Sequence, residues 1–314
     1  MRCVLVCNPV AGARRERHAD KVGRAAARLR SLGHEAVAIP TETPGSATEQ
    51  ARKAVQDGAE IVFACGGDGT VHEVIQGLLA EGLAGAPGSA DTALGIVPMG
   101  RANALARHLG IPLDVERAVE KQICGVRRRI SAGKLEIGSR VQYFAVMAGA
   151  GPDGALAHEL PSAEKSRLGR LAYYLHSARI FATRRFPPFA VEITGVDGTV
   201  RIERAVSAMA ARVHSLGGLF HGLVERRKPL DGLQIELSLL RGPAAISLPL
   251  WFLSGWLGLR RLNPFLRDLS VREFTCRPLK HTNVHCEADG EWLGPIPMRV
   301  SVAPNALTVL VPRK

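Results

Sequence analysis

A chain of 314 residues with 46% hydrophobic content is long and apolar enough for two domains with separate cores. Its six cysteines, Cys3, Cys7, Cys65, Cys124, Cys276 and Cys286, show no C-x-x-C spacing, which argues against a zinc framework or disulfide scaffold and points to a reduced compartment. A formal net charge of +12 favours an anionic partner; charge alone admits nucleic acid or anionic lipid, but only 5% of residues are aromatic and no nucleic-acid module is recognisable, so base stacking is the weaker reading.

Residues 4–7 read as a short buried strand, without the long apolar core of a signal peptide. Up to about Ile123, strand-like runs at 4–7, 36–39, 61–64 and 94–97 alternate with helical segments at 15–32, 47–56 and 71–79, and this predicts a parallel sheet covered by helices on both faces. From about Arg127 the pattern changes to short strands with turn signals, at 141–147, 190–193, 206–211 and 233–239, so the second domain is expected to be mainly antiparallel. Asp197-Gly198 marks a hairpin between 191–194 and 200–203. A helix is expected over 164–184, with Leu168, Leu171, Ala172, Leu175 and Ala178 on one face. Residues 246–259 form the longest apolar stretch, but Pro249, Ser254 and Gly255 interrupt it and it falls short of the roughly 20 residues of a spanning helix. Within 248–267, Trp251, Phe252, Trp256 and Phe265 stand beside Arg260, Arg261 and Arg267, which suits a segment lying in the headgroup layer of an anionic bilayer, or a buried helix with a charged end.

The most informative segment is Gly66, Gly67, Asp68, Gly69 and Thr70. It follows an apolar run and opens an apolar-periodic one, so it reads strand, glycine turn, helix. That layout suits a phosphate cradle, because glycines admit phosphate oxygens close to backbone N–H groups and a helix N-terminus favours negative charge. Asp68 among such amides is best understood as holding Mg²⁺ or an incoming hydroxyl. A plain strand-to-helix turn has the same local pattern.

Gly-Gly-Asp-Gly-Thr resembles the nucleotide loop shared by diacylglycerol and sphingosine kinases, NAD kinases and phosphofructokinases. Three further segments narrow the choice. Asn8, Pro9, Gly12 and Arg14 are similar to the Asn-Pro-x-x-Gly-x-Lys/Arg opening of the diacylglycerol kinase catalytic domain. Gly95, Pro98, Gly100, Arg101 and Asn103, followed by Ala106-Arg107 and Leu109 to Pro112, resemble that family's Gly-x-x-Pro-x-Gly-Thr-x-Asn block, with Arg101 where Thr is usual and Ala104 where many members have Asp. Asp289, Gly290 and Glu291 are similar to its Asp-Gly-Glu motif. On these segments the chain is identified as a member of the bacterial diacylglycerol kinase and sphingosine kinase-like lipid kinases.

That resemblance implies an α/β nucleotide-binding domain over 1–126 with a parallel sheet, a mainly antiparallel β domain over 127–303 for the lipid, and a closing strand, 304–314, that returns to the first domain. It implies ATP and Mg²⁺ as cofactors, with Asn8, Gly12, Arg14, Thr41, Gly66, Gly67, Asp68, Gly69, Thr70, Glu73, Gly100, Arg101 and Asn103 on the nucleotide side. Glu73 is open to a second reading, a solvated carboxylate near a helix N-terminus. Glu291 matches the proton acceptor for the lipid hydroxyl. Asp289, two residues away, would share its face if the segment is extended, unless Gly290 makes a turn. Asp231, with the carbonyls of Lys228 and Leu233, matches a structural Mg²⁺ site; a plain turn is the competing reading. The expected activity is transfer of the γ-phosphoryl group of ATP to a hydroxyl of diacylglycerol or a related lipid, by a cytoplasmic protein associated peripherally with the inner face of the membrane. A catalytically weak nucleotide and lipid binder, motivated by Arg101, and a basic nucleic-acid binder are the alternatives. A homodimer is compatible with the sequence, and the identity of the lipid is open.

Overall fold

The computed structural model describes residues 1–9, 15–80, 92–160, 170–216, 222–223, 230, 232–279 and 282–313. The chain divides into two compact units, Met1–Ser131 with Asn305–Lys314, and Ala132–Pro304.

In the first unit, β1 (Arg2–Cys7), β2 (Glu35–Pro40), β3 (Ile61–Gly66) and β4 (Ala93–Pro98) lie parallel in the order β4–β3–β1–β2, and the end of β15 (Met298–Val311) runs parallel beside β4 through Val309 and Leu94. These are the strands the apolar runs predict. β3 and β4 are buried along their full length, because α1 (Arg15–Ser31), α2 (Ser46–Gln56), α3 (Asp68–Leu78) and α5 (Val115–Ile123) leave neither face wet. Alternation along β1 divides the core. Cys3, Leu5 and Cys7 pack with Ala25 and Leu29 of α1 and Val115 and Val119 of α5, while Val4 and Val6 face the opposite side, the side of α2 and α3. A buried amide completes β4: the Gln122 side chain accepts from Ile96 N at 2.8 Å and donates to Ile96 O at 2.7 Å, satisfying both backbone groups of that residue.

The second unit is antiparallel, as the turn spacing predicts. Its strands run β14 (Glu291–Pro295), β13 (His285–Ala288), β7 (Met147–Ala150), β10 (Ser207–Ala211), β11 (Ile235–Leu240), β12 (Leu266–Pro278). β12 changes partners along its 13 residues: its first half pairs β11, and after a register shift between Val271 and Glu273 its second half lies against β8 (Phe189–Gly195) and the start of β15. The expected hairpin is present. β8 and β9 (Val200–Ala205) are joined through Asp197, whose Oδ1 accepts from Thr199 N at 3.0 Å and Thr199 Oγ1 at 2.7 Å, with Gly198 at φ +83°. β5 (Val126–Ile137) and β6 (Arg140–Phe144) form a second antiparallel pair.

A second core lies on β10 and β11, where Met209 and Leu240 pack with Leu156 of α6 (Pro152–Glu159), Ile180 of α7 (Arg170–Thr183) and Leu248 and Trp251 of α8 (Ala244–Trp256). Residues 164–169 of the expected helix fall outside the described residues. From Leu175 onward the buried positions are Ser177 and Ile180, whereas Leu175 of the predicted apolar face is 62% exposed. The 248–267 segment also divides differently from expectation. Trp251 is buried in this second core, and Arg260 is buried and paired with Asp268; Arg267 pairs with Glu203. The exposed apolar residues are instead Ile246, Leu253, Trp256, Leu257, Leu259 and Leu262. Among the described residues no helix is long and apolar enough to cross a membrane.

Candidate functional site

The parallel sheet of the first unit carries four loops at its carboxyl edge, where open α/β sheets take ligands. Asn8 follows β1 and donates its N–H to Cys65 O at 3.2 Å; Thr41 follows β2 and donates to Cys7 O at 2.7 Å. Gly66 ends β3, Gly67 precedes α3, and Asp68, Gly69 and Thr70 are its first three residues. Gly100, Arg101 and Asn103 lie between β4 and α4 (Ala104–His108). The structure thus brings Asn8, Thr41, Gly66–Thr70 and Gly100–Asn103 to one edge. Gly12 and Arg14 lie outside the described residues.

Two loops of this edge are built on each other. The Asp68 carboxylate accepts from Asn103 N at 2.9 Å and Ala104 N at 2.7 Å, so it caps α4 from a different helix. Asn103, the N-cap residue, has φ +47° and uses its side chain otherwise: Oδ1 accepts from Gly100 N at 2.9 Å and Nδ2 donates to Gly100 O at 2.9 Å. These bonds give Asp68 and Asn103 architectural tasks that the motif reading did not assign. Gly100 is required for the contact between the loops, since a Cβ there would collide with the Gly67 Cα, and within the first loop a Cβ on Gly66 would collide with the buried Thr70 side chain. Glu73 is an anchor as well. Its Oε2 accepts from Ala47 N at 3.1 Å, at the start of α2, whose own N-cap, Gly45, makes no side-chain cap. Arg101 is exposed, and Arg107 Nε donates to Ala102 O at 3.0 Å, so two guanidiniums flank this edge.

In the second unit Asp289 and Gly290 form the two-residue turn between β13 and β14, with φ +50° and +88°. Positive φ at both positions is the signature of a tight hairpin turn, so the extended segment that would align the carboxylates of Asp289 and Glu291 is not formed. Asp289 instead turns back onto the β6–β7 link, where its carboxylate accepts from Ala145 N at 3.0 Å, Val146 N at 2.9 Å and Met147 N at 3.0 Å. Glu291 is the first residue of β14, partly exposed. Nearby Glu287 is 2% exposed and accepts from Gly290 N at 2.7 Å, which holds the turn from the other side.

Sequence reasoning missed Asp153. It is the second residue of α6, after Gly151 at φ +111° and Pro152 at the first helical position. Its Oδ2 lies against Gly149, buried and without a hydrogen-bond partner among the described residues. Burial pushes this carboxyl from its ordinary 3.8 up to about 7. The signal was present: Gly149-Ala150-Gly151-Pro152-Asp153-Gly154 repeats the strand, glycine, acid, helix order of Gly66–Gly69. The hairpin is tied to the same helix by stacked rings of His158 and His285, 4.3 Å apart, and by Trp292, whose Nε1 donates to His285 Nδ1 at 3.2 Å.

Of the three residues expected to hold a structural cation, Lys228 and Asp231 fall outside the described residues, and Leu233 is 61% exposed. The carbonyls of Leu230, Gly232 and Gln234 around them accept from the Arg212 guanidinium.

A parallel α/β unit with a glycine-rich carboxyl edge and an antiparallel unit carrying an acidic hairpin define a kinase-like fold, and the chain matches known families in both parts. Residues 2–135 match the diacylglycerol kinase catalytic domain, and residues 146–311 match the YegS C-terminal NAD kinase beta sandwich-like domain. Diacylglycerol kinase of Bacillus subtilis (strain 168) is 32% identical over 241 residues, covering 76% of this chain and 74% of the relative. Diacylglycerol kinase of Staphylococcus aureus (strain bovine RF122 / ET3-1) is 30% identical over 231 residues, covering 74% and 68%. In fold, a crystal structure of a diacylglycerol kinase from Bacillus anthracis str. Sterne matches with TM-score 0.71 and 22% identity over 99% of this chain and 96% of that chain. An NAD kinase from Archaeoglobus fulgidus in complex with ATP matches with TM-score 0.53 and 14% identity over 100% and 95%. The chain belongs to the bacterial diacylglycerol kinase-like lipid kinase family, whose members are phosphotransferases with an alcohol group as acceptor.

Proposed function

We propose that this lipid kinase uses ATP and Mg²⁺ to phosphorylate a hydroxyl of diacylglycerol or a closely related lipid. The observation that carries the reading is the carboxyl edge of the first sheet, where Asp68 locks the Gly66–Thr70 and Gly100–Asn103 loops together and both glycines are excluded from bearing a side chain. In this reading the N–H groups of Gly67 and Gly69, with Asn8, Thr41 and Thr70, hold the nucleotide phosphates, and Arg101 adds a cation beside them. Mg²⁺ supplies charge neutralisation on the phosphates when it is bound. Asp68, which accepts from Asn103 N and Ala104 N, is in this reading also the carboxylate nearest to a metal-bound water.

The acceptor hydroxyl oxygen attacks the γ-phosphorus, the bond to the bridging oxygen breaks, ADP leaves, and the proton passes to Glu291. Asp289 acts on the reaction by fixing the hairpin that presents Glu291. A membrane role rests on Leu253, Trp256, Leu257 and Leu262, an exposed apolar set beside Arg261 on a chain of formal charge +12. This supports peripheral association with the anionic inner face of the membrane.

The test is transfer of labelled γ-phosphate to diacylglycerol, a sphingoid base, phosphatidylglycerol and a ceramide-like lipid dispersed in micelles, with and without Mg²⁺. Mg²⁺-dependent labelling of diacylglycerol is the expected result. Labelling of another lipid only would replace the substrate, and labelling of none would overturn the reading.

A further inference from the structure

The hairpin that carries Glu291 is held at its turn by Asp289 and Glu287, and on the face toward α6 by three aromatic rings. His285 and Glu287 alternate along β13 with Cys286 and Ala288, which are buried in the sheet core, so the first two lie on the opposite face. There Trp292, paired with Glu287 across the ladder, reaches its diagonal neighbour His285, and its Nε1 donates to His285 Nδ1 at 3.2 Å. The His158 ring of α6 stacks on His285 with 4.3 Å between centroids and 14° between planes, and meets the Trp292 ring at 4.7 Å. The backbone fixes this meeting. Gly151 N donates to His285 O at 3.0 Å, and a Cβ on Gly154 would collide with that same carbonyl, so α6 is seated on β13 at the residue whose ring it stacks on.

An indole N–H is a donor only, so His285 Nδ1 has to be the unprotonated nitrogen of a neutral imidazole. A proton on Nδ1 would set two donors against each other and put a positive charge on a ring stacked against a second imidazole. The bond and the proton exclude each other. The described charged and titratable groups around this ring are His158 and Glu159 of α6, Arg184 and Arg185 after α7, Glu287 on its own strand and Glu291 on β14; Glu159 is paired with Arg184. β7, on the other side of β13, supplies none, and Asp153 of α6 lies against Gly149 and holds its proton below about pH 7. Burial lowers the His285 imidazole below its ordinary 6.5, and His158 and Arg184 add to the effect against Glu159. The neutral, bonded ring is therefore the form at neutral pH, and acid breaks it. We propose that the His158, His285 and Trp292 rings are a proton-sensitive brace, which holds the strand beginning at Glu291 while His285 is neutral and releases it when His285 is protonated. The brace rests on the reading of Glu291 as proton acceptor only for its effect on catalysis, in which His285 and Trp292 are positioning residues.

The first test uses the full chain without ATP or lipid, so its outcome is independent of the kinase reading. The Trp292 indole N–H, assigned by its loss in Trp292→Phe, and the Gly290 amide, which donates to Glu287 at the turn, are followed by proton–nitrogen correlation NMR from pH 8 to pH 5. Both resonances are expected to move together in wild type with a midpoint below 6.5, and to stay in place in His285→Asn, whose amide oxygen can stand where Nδ1 stood and does not titrate. Wild-type resonances that do not move, or the same movement in His285→Asn, would overturn the brace. If His285→Asn does not fold, Trp292→Phe keeps a ring against His158 and removes the donor. The Gly290 step is then expected to vanish, and its persistence would overturn the proposal. In the transfer assay the acid limb of kcat is expected at lower pH in His285→Asn, with transfer about threefold or more above wild type at pH 5.5 and within about twofold at pH 8. Superimposable acid limbs would overturn the positioning role. A chain that labels no lipid would fail the kinase reading alone, with the NMR titration still deciding the brace.

Discussion

The two units each carry one acidic residue that the motifs single out for chemistry, and in both the carboxylate is spent on backbone N–H groups. Asp68 accepts two of them and ties one loop of a parallel sheet to the next; Asp289 accepts three and ties a hairpin to a strand link far away in sequence. The difference lies in what surrounds them. Asp68 joins loops that follow adjacent strands, whereas Asp289 spans a sequence separation of 142 to 144 residues and sits in a left-handed turn. A loop edge built from neighbouring βα connections is a local construction, and an acidic hairpin placed by antiparallel pairing is a global one. In both units the motif acid braces the loop or hairpin that carries it.

The comparison breaks if the two carboxylates matter equally for stability. Asp289→Ala leaves three partly buried N–H groups without this acceptor and is expected to destabilise by roughly 3–5 kcal/mol, against roughly 2–3 kcal/mol for Asp68→Ala, read from urea midpoints. Equal midpoints would show that the longer-range anchor carries no extra weight. A smaller effect tests the loop-to-loop contact of the first unit: Gly100→Ala forces Gly67 and Gly100 apart, costing roughly 1–3 kcal/mol and weakening nucleotide binding. An unchanged ATP affinity would separate that contact from the nucleotide loop.

Asp153 sharpens the comparison through pH. Its folded carboxyl is raised from 3.8 to about 7, so the folded state keeps a proton that the unfolded chain releases. The associated stability is fully present below about pH 4 and is lost as pH rises through about 7. Asp153→Asn is expected to flatten this dependence and to exceed wild type at pH 8 by roughly 1–3 kcal/mol. A wild-type midpoint that does not fall between pH 5 and 8 relative to the variant would show that the carboxyl is solvated.

Much of the first unit was legible because its signals are local. Apolar runs of four residues identify β1 to β4, and the periodic segments after the first three identify α1, α2 and α3, to within about three residues. The second unit announced its class but not its pairings. β12 exchanges partners midway, and nothing near residues 266–278 says which strands will flank it. Trp251 and Arg260 read as interfacial by composition, yet burial against Leu248 and pairing with Asp268 depend on contacts that composition does not encode. The carboxyl-edge residues were found by motif, while the bonds of Asp68 and Asp289 were not, because an acceptor for distant backbone N–H groups leaves no trace in its own neighbourhood. Asp153 was missed for a different reason: its glycine-flanked segment lacks the doubled glycine that makes Gly66–Gly69 conspicuous.

The most direct test of the central claim compares Glu291→Gln with wild type for both ATP affinity and Mg²⁺-dependent phosphoryl transfer to diacylglycerol. Removing the proton acceptor while keeping its shape predicts transfer reduced by about 100-fold or more with ATP affinity within about twofold of wild type. Transfer retained at the wild-type rate would contradict the assignment of Glu291 as the base, and with it the account of what the braced hairpin is for.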